Sequence, residues 1–355
     1  MTKDIGELYY ESVDLLKKMI SISSFSRDEK AVADMLEAYI RSKEYEPHRI
    51  GNNIWIKSAG YLDSKPTILL NSHIDTVKPV SAWTKNPFEP VIEDGKLFGL
   101  GSNDAGASVV SLLHSFLLLA DKPQDYNLIF LASCEEEVSG KNGIELALQA
   151  IPIPVFAIVG EPTGMNPAIA EKGLMVLDCE SHGESGHAAR NEGSNAIYKA
   201  IKDIEWFRSF QFPNSSDLLG AVKMTVTMIH SGTQHNVIPD ACSFVVDVRS
   251  NECYSNQQLF DIIKEHTECE VKPRSFRLNS SKISLENPFI QRAIIMGLEP
   301  YGSPTLSDQA LMSFPSVKMG PGDSARSHTA DEYILLDEIR EALEYYTKLL
   351  DGLII

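Results

Sequence analysis

The sequence is short of several things, and each shortage narrows what the chain can be. Its five cysteines, Cys134, Cys179, Cys242, Cys253 and Cys269, are scattered and odd in number. No CxxC pair occurs, which argues against a zinc knuckle and against a disulfide framework. A reduced, cytoplasmic setting is the expectation. Long apolar runs are missing as well: SFLLLA and IPIPVFAIVG are too short to span a bilayer. Near the N-terminus acidic residues interrupt the sequence and no apolar core follows the first lysine, so no secretory leader is expected. Positive charge is scarce. Lys and Arg total 32 against 49 Asp and Glu, a formal net charge of -17. Such a surface repels nucleic acid and anionic membrane, so neither is an expected partner. Internal repeats and low-complexity tracts are not found.

What remains is ordinary globular composition, with 43% hydrophobic and 23% charged residues. A length of 355 residues suits two domains better than one core. Apolar side chains at helical spacing mark residues 7 to 22 and 28 to 42. NIWIKS, PTILLNSHIDTV, YNLIFLASCEEE and PVFAIVGEPT read as strands, and ASVVSLLHSFLLLA reads as a helix buried on most of its surface. Near-continuous apolar strands alternating with helices predict an α/β sheet covered on both faces.

The pattern changes near residue 174. LMVLDCESHG, AVKMTVTMIHSG and ACSFVVDVRS alternate like half-buried strands. SNAIYKAIKDIEWFRSF and NQQLFDIIKEHTE between and after them read as helices, and TQHNVIPD as a turn. The tail returns to α/β character, with helix NPFIQRAIIMGLE, strand and loop PSVKMGPGDS, and a closing helix LLDEIREALEYYTKLLDGL. The predicted organisation is one α/β domain over residues 1–173 and 281–355, with a smaller α+β domain inserted at 174–280.

In open α/β sheets, ligands bind beyond the carboxyl ends of the strands. Those ends are where the polar residues collect: His73 and Asp75 in SHIDTV, Asp104 in GSNDAG, Glu135, Glu136 and Glu137 in EEEVSG, Glu161 in GEPT, and His328 in SHTADEY. Each has an ordinary explanation. Adjacent carboxylates usually form a solvated turn, Asp104 can cap the helix that follows, and a lone His is more often a core or capping residue. Repetition weakens those explanations, because His, Asp and Glu are the types that bind borderline-hard divalent metals. In an extended chain His73 and Asp75 share a side, so Asp75 could accept the spare ring N–H and orient the imidazole.

SHIDTV, GSNDAG, EEEVSG, GEPT, SGHAAR and SHTADEY, in this order, resemble the M20 family of dinuclear zinc amidohydrolases. Within it the likeness is to the acetylornithine deacetylase and succinyl-diaminopimelate desuccinylase branch, and it covers almost the whole chain. The resemblance implies a zinc-aminopeptidase-like catalytic domain with a mixed sheet covered by helices, and an inserted dimerisation and lid domain. It implies two divalent metal ions, zinc first, with cobalt or manganese also suited to mixed His and carboxylate ligands. His73 resembles the first-metal histidine, Asp75 its orienting acid and Asp104 the carboxylate bridging both metals. Glu161 resembles the remaining first-metal ligand, and Glu137 and His328 those of the second metal. Glu136 resembles the general base; a one-residue slip would shift base and ligand to Glu135 and Glu136.

In the inserted domain His187 resembles a histidine that reaches across a homodimer to the oxyanion. Asn236 and Arg249 resemble residues holding the substrate's carbonyl and α-carboxylate, although Asp247 offers Arg249 a structural ion pair instead. Gly320, Pro321 and Gly322 form a tight turn whose backbone N–H groups could help bind substrate, or which is a plain turn. Asp104 is followed by Ala105-Gly106-Ala107, where the family often has Met-Lys-Gly, which leaves the local pocket shape open. The implied substrate is a small N-acyl amino acid, with N-acetylornithine in arginine synthesis leading, and N-acetylcitrulline or an N-succinyl relative beside it. Succinyl-diaminopimelate desuccinylase and di- or tripeptidase activity are the alternatives. A non-catalytic binding protein is a remote one, since every ligand position is filled.

Overall fold

The computed structural model describes residues 4–190 and 192–355. The chain divides into two compact units. One comprises the residues up to Ile169, Lys282–Tyr301 and Ser307–Ile355; the other comprises Ala170–Ser281 and Gly302–Leu306. The predicted boundaries at 174 and 280 fall within a few residues of two of these crossings. The short excursion at 302–306 carried no signal in the sequence.

The first unit is built on a mixed sheet. Its centre is four parallel strands, in the spatial order Asn127–Ser133, Thr67–His73, Phe156–Val159 and Ser316–Lys318. Asn53–Lys57 pairs antiparallel with Asn127–Ser133, and His48–Ile50 pairs antiparallel with Asn53–Lys57. On the other side, Lys318 pairs antiparallel with Ala168. Every residue of Thr67–His73 and Asn127–Ser133 is buried, as near-continuous apolar strands require.

Helix Ala107–Leu119 lies on one face, against Thr67–His73 and between helices Ile5–Ile20 and Leu336–Leu350. Sheet below and helices beside it leave almost no exposed side, which is why its sequence is apolar all round. The opposite face is filled by Trp55, Leu69, Ile129, Leu131 and Ala157 packed with Ile144, Ala147 and Ile151.

A small antiparallel sheet of Val91–Glu93, Lys96–Phe98 and Tyr333–Leu335 was not anticipated from the sequence. Three-residue strands show too little alternation to read. The sheet matters because Lys96–Phe98 leads into the loop carrying Asp104, and the loop carrying His328 leads into Tyr333–Leu335.

The second unit is an antiparallel sheet in the order Lys223–Ser231, Ala241–Ser250, Gly173–His182, Glu270–Pro273. Its two ten-residue strands alternate between buried and more exposed positions, the signature of one covered face. Leu177, Cys179, Phe244 and Val246 pack there with Phe207 of helix Ala196–Ser209 and with Leu259 and Ile263 of helix Asn256–His266. Asn195 caps the first helix by accepting from the Ile197 N–H, and Ser255 with Gln258 forms a capping box on the second. TQHNVIPD is more than a turn: Val237–Ile238 pairs with Gly186–His187. Among the described residues, no helix is long and apolar enough to cross a membrane.

Candidate metal centre

Strand order places the site. After Thr67–His73 the chain forms its neighbour on one side, Asn127–Ser133, and then its neighbour on the other, Phe156–Val159. The carboxyl end of Thr67–His73 is therefore a switch point, where connections diverge and leave a crevice. His73 ends this strand, Glu135 to Glu137 follow one neighbour, and Glu161 follows the other.

Side chains converge there. His73 Nε2 lies 3.2 Å from Asp104 Oδ1 and 3.6 Å from Glu161 Oε1. His328 Nε2 lies 3.5 Å from the other oxygen of Asp104, Oδ2, and 3.0 Å from Glu137 Oε2. Asp104 thus presents one oxygen to each imidazole. It does not cap helix Ala107–Leu119, whose N-terminus has no side-chain cap. Ligand atoms of His73, Asp104 and Glu137, and those of His73, Glu136 and Glu161, each lie within 4.8 Å of one another. His73 is 1% exposed and His328 54%, so one end of the centre is sealed and the other open.

The three glutamates part at a sharp turn. Glu135 has φ +56°, left-handed backbone unusual for a side chain with a Cβ. Its carboxylate turns away and accepts from Asn142 Nδ2 at 2.9 Å. Asp75 Oδ1 accepts from the N–H of Glu136 at 3.0 Å, and Oδ2 from that of Glu137 at 3.2 Å and from Ser26 Oγ at 2.7 Å. Asp75 thus has a second role beside the one expected of it. His73 Nδ1 pairs with the backbone O of Asp75 at 2.9 Å and has the Asp75 carboxylate at 3.5 Å, so Asp75 faces His73 and also fixes the glutamate turn.

Electrostatics show what the cluster lacks. Burial, then the charges of Glu161, Asp308 and Glu137, push the Glu136 carboxyl well up against the opposing pull of His73. Burial, with Asp104 and Glu137 nearby, raises Glu161 to about 8. Burial works against the His73 imidazolium, yet hydrogen bonds to Asp104 and Asp75 outweigh it and hold its pKa well above normal. Its bond to Glu137 raises His328 to about 9 despite partial burial. Asp104 stays low, because His73 and His328 outweigh its desolvation. The Oε1 of Glu161 is buried without a hydrogen-bond donor. Four carboxylates, two imidazoles and an orphaned buried oxygen fit divalent cations, which would relieve the repulsion.

Other predicted residues are placed differently. The Gly320 N–H is not free: it donates to Thr163 Oγ1 at 3.1 Å, so the expected substrate contact is already engaged. A Cβ on Gly320 would lie 2.4 Å from Ser108 Oγ and 2.6 Å from the Glu161 carbonyl, so only glycine allows this approach. Gly322 adopts φ +93° and its carbonyl accepts from the Gly164 N–H. His187, Asn236 and Arg249 belong to the second unit. His187 is exposed and its Nδ1 accepts from the Ala189 N–H; the carbonyl of exposed Asn236 accepts from the Ala188 N–H. Arg249 makes a two-pronged pair with Asp247, at 2.9 and 3.1 Å.

Three buried acids escaped the sequence reading. Glu332 accepts backbone N–H groups of the Asp104 loop. Glu29 accepts from the Glu135 N–H at 3.2 Å. Asp308 accepts from Asn71 Nδ2 and Ser133 Oγ, and burial raises it to about 6. Glu332 is the next-to-last residue of the quoted SHTADEY, but nothing local distinguishes it from a surface acid.

Fold and site together gather four carboxylates and two imidazoles of the kind that hold divalent cations. Peptidase family M20/M25/M40 matches residues 69–352, and the chain belongs to that family. The chain is 29% identical over 353 residues to a "[LysW]-lysine/[LysW]-ornithine hydrolase" of Sulfurisphaera tokodaii, covering 96% of this chain and 95% of that protein. It is 28% identical over 306 residues to an acetylornithine deacetylase of Proteus mirabilis, covering 80% and 79%. Its fold matches the Bacillus subtilis YXEP protein, a dinuclear metal-binding peptidase of family M20, with a TM-score of 0.74 at 15% identity, covering 98% of this chain and 99% of that one.

Proposed function

We propose that the protein hydrolyses the amide bond of an N-acyl amino acid, with N-acetylornithine or a close relative as substrate. The observation that carries this reading is Asp104, whose two oxygens face His73 and His328 with Glu136 alongside. His73, Asp104 and Glu161 would hold one divalent cation, and Asp104, Glu137 and His328 the other; zinc suits this donor set, as do cobalt and manganese. The cations would supply a Lewis acid for the carbonyl oxygen and lower the pKa of the attacking water.

Glu136 accepts the proton as water adds to the carbonyl carbon. It delivers that proton to the amide nitrogen as the C–N bond breaks, giving a carboxylic acid and a free amine. The register of the turn supports Glu136 as the base, since Glu135 is tied to Asn142. His187 for the oxyanion, and Asn236, Arg249 and Gly322 for the substrate, complete the proposed site; Arg249 would exchange Asp247 for a substrate carboxylate. A homodimer through the second unit, which would also act as a lid, and a cytoplasmic setting belong to the same reading. Two of the similar proteins are named for ornithine, which favours that amine. A di- or tripeptidase on the same scaffold is the second reading.

The test is amide hydrolysis by zinc-loaded protein, with and without chelator. The panel is N-acetylornithine, N-acetylcitrulline, N-succinylornithine, N-succinyl-diaminopimelate and several dipeptides. Chelator-sensitive cleavage of one acyl amino acid is expected. Cleavage of dipeptides alone would replace the first reading by the second.

A further inference from the structure

Glu332 is an acid in a place that disfavours acids. It is 2% exposed and sits within reach of Asp104, whose charge opposes its own. Its partners explain why it is tolerated. Oε2 accepts from the Gly101 N–H at 3.1 Å, and Oε1 from the N–H groups of Asn103 at 2.8 Å and Asp104 at 2.9 Å. Its own backbone carbonyl accepts from the Gly99 N–H at 3.0 Å. One residue therefore holds four backbone donors of one loop, and a carboxylate accepting such bonds makes stronger ones than a neutral acceptor.

The loop needs this. Asp104 interrupts the turn Ser102–Gly106 with non-helical φ −122° and ψ 95°, so its N–H and those before it do not find partners as they would in a regular helix. The bracing is reciprocal. Asn103 Oδ1 accepts from the Asp323 N–H at 3.1 Å, and Asn103 Nδ2 donates to the Asp323 carbonyl at 3.1 Å and Ser327 Oγ at 3.3 Å. The loop bearing Asp104 thus holds the loop bearing His328, and is held by the residue four places beyond that histidine.

We propose that Glu332 is a positioning residue for metal binding. By fixing the backbone of residues 101–104 it sets both oxygens of Asp104 at once, one toward His73 and one toward His328. The inference rests on the reading of Asp104 as the shared metal ligand. Glu332 itself is too far inside the backbone cage, with both oxygens engaged, to be a ligand.

The test compares the parent with Glu332→Gln and Glu332→Asp. Glutamine keeps the shape and one acceptor but sets an NH2 against the Gly101 N–H. Aspartate keeps the charge but withdraws it by one methylene. Zinc affinity is read by competition with a chromophoric chelator, and the melting of the metal-free full chain is read beside it. The parent is expected to bind two zinc ions. Both variants should stay folded without metal, melting somewhat below the parent, yet bind zinc about 10- to 100-fold more weakly. Added zinc should restore turnover with KM unchanged. Parent-like zinc affinity in Glu332→Gln overturns the proposal. So does restored affinity in Glu332→Asp alone, which would make charge and not reach the cause. Collapse of both metal-free variants would make Glu332 a folding residue and overturn it too. A parent that binds no zinc would instead defeat the functional reading beneath it.

Discussion

The first unit pairs acids with bases on its surface as the second does, but it also holds charge in a way the second does not. In the second, acids stand beside bases: Arg249 with Asp247, Arg274 with Asp178, Lys272 with Glu270, Arg208 with Glu205. These pairs are half-exposed and contribute little to stability. In the first, four carboxylates and two histidines converge beyond the strand ends, and the carboxyls of Glu136 and Glu161 are pushed up by burial and by neighbouring carboxylates. A fold holds acids together against their repulsion only where something else is expected to bring positive charge. The unneutralised cluster, and not the number of acids, separates a site from a surface.

The contrast can be broken at several points. The largest effect is expected from Glu136→Gln, which should lower kcat by about 10²- to 10⁴-fold with zinc still bound. Parent-like turnover would remove Glu136 from the role of base. Core truncation comes next. Phe244→Ala in the second unit should cost about 3–5 kcal/mol, read by denaturant unfolding, with zinc stoichiometry unchanged when the protein is folded. Loss of zinc alongside it would show that the metal centre depends on the second unit's core. Zinc itself should stabilise the first unit, by about 2.7 kcal/mol per bound ion at a free concentration 100 times its Kd, and a chelator should reverse this.

Acidity gives a finer test on the metal-free chain. Burial raises Asp308 to about 6, Glu332 to about 7 and Glu161 to about 8, all above ordinary carboxyls near ~4. The folded state therefore binds more protons than the unfolded one between those limits, and stability falls as pH rises through them. His328, raised to about 9 by Glu137, acts in the same direction: its contribution is present below its ordinary value and lost through about 9. The metal-free protein should melt higher near pH 5 than near pH 9, and Asp308→Asn should flatten the acid end of that slope. Melting that rises toward pH 9 would contradict these shifts. The smallest effect belongs to Glu135→Gln. It should leave turnover within about tenfold and cost ~1–2 kcal/mol, because one amide end meets the Asn142 N–H. A collapse of turnover comparable with that of Glu136→Gln would favour the slipped register.

Legibility in the sequence followed the same divide. Continuous apolar runs such as Thr67–His73 and alternating ones such as Gly173–His182 were plain, because burial on two faces or one leaves a period to read. His73, Asp104, Glu137, Glu161 and His328 were legible because each stands in a motif at the end of an element. Glu332, Glu29 and Asp308 were not, for they act on backbone N–H groups or side chains far along the chain, and distance leaves no period. The double grip of Asp75 on the turn was hidden for the same reason, as was the engagement of Gly320 by Thr163.

The excursion at Gly302–Leu306 has a consequence for anyone who would trade parts between such enzymes. A domain joined by one exit and one return can be lifted out as a cassette with two cuts. Here the chain crosses four times, so grafting residues 170–281 from a relative would leave five residues of the old partner behind, built into the new one. Gly302 admits no side chain, since a Cβ there would lie 2.4 Å from the Leu218 carbonyl. A successful graft must carry residues 302–306 with it, and the two pieces must be exchanged as a matched set.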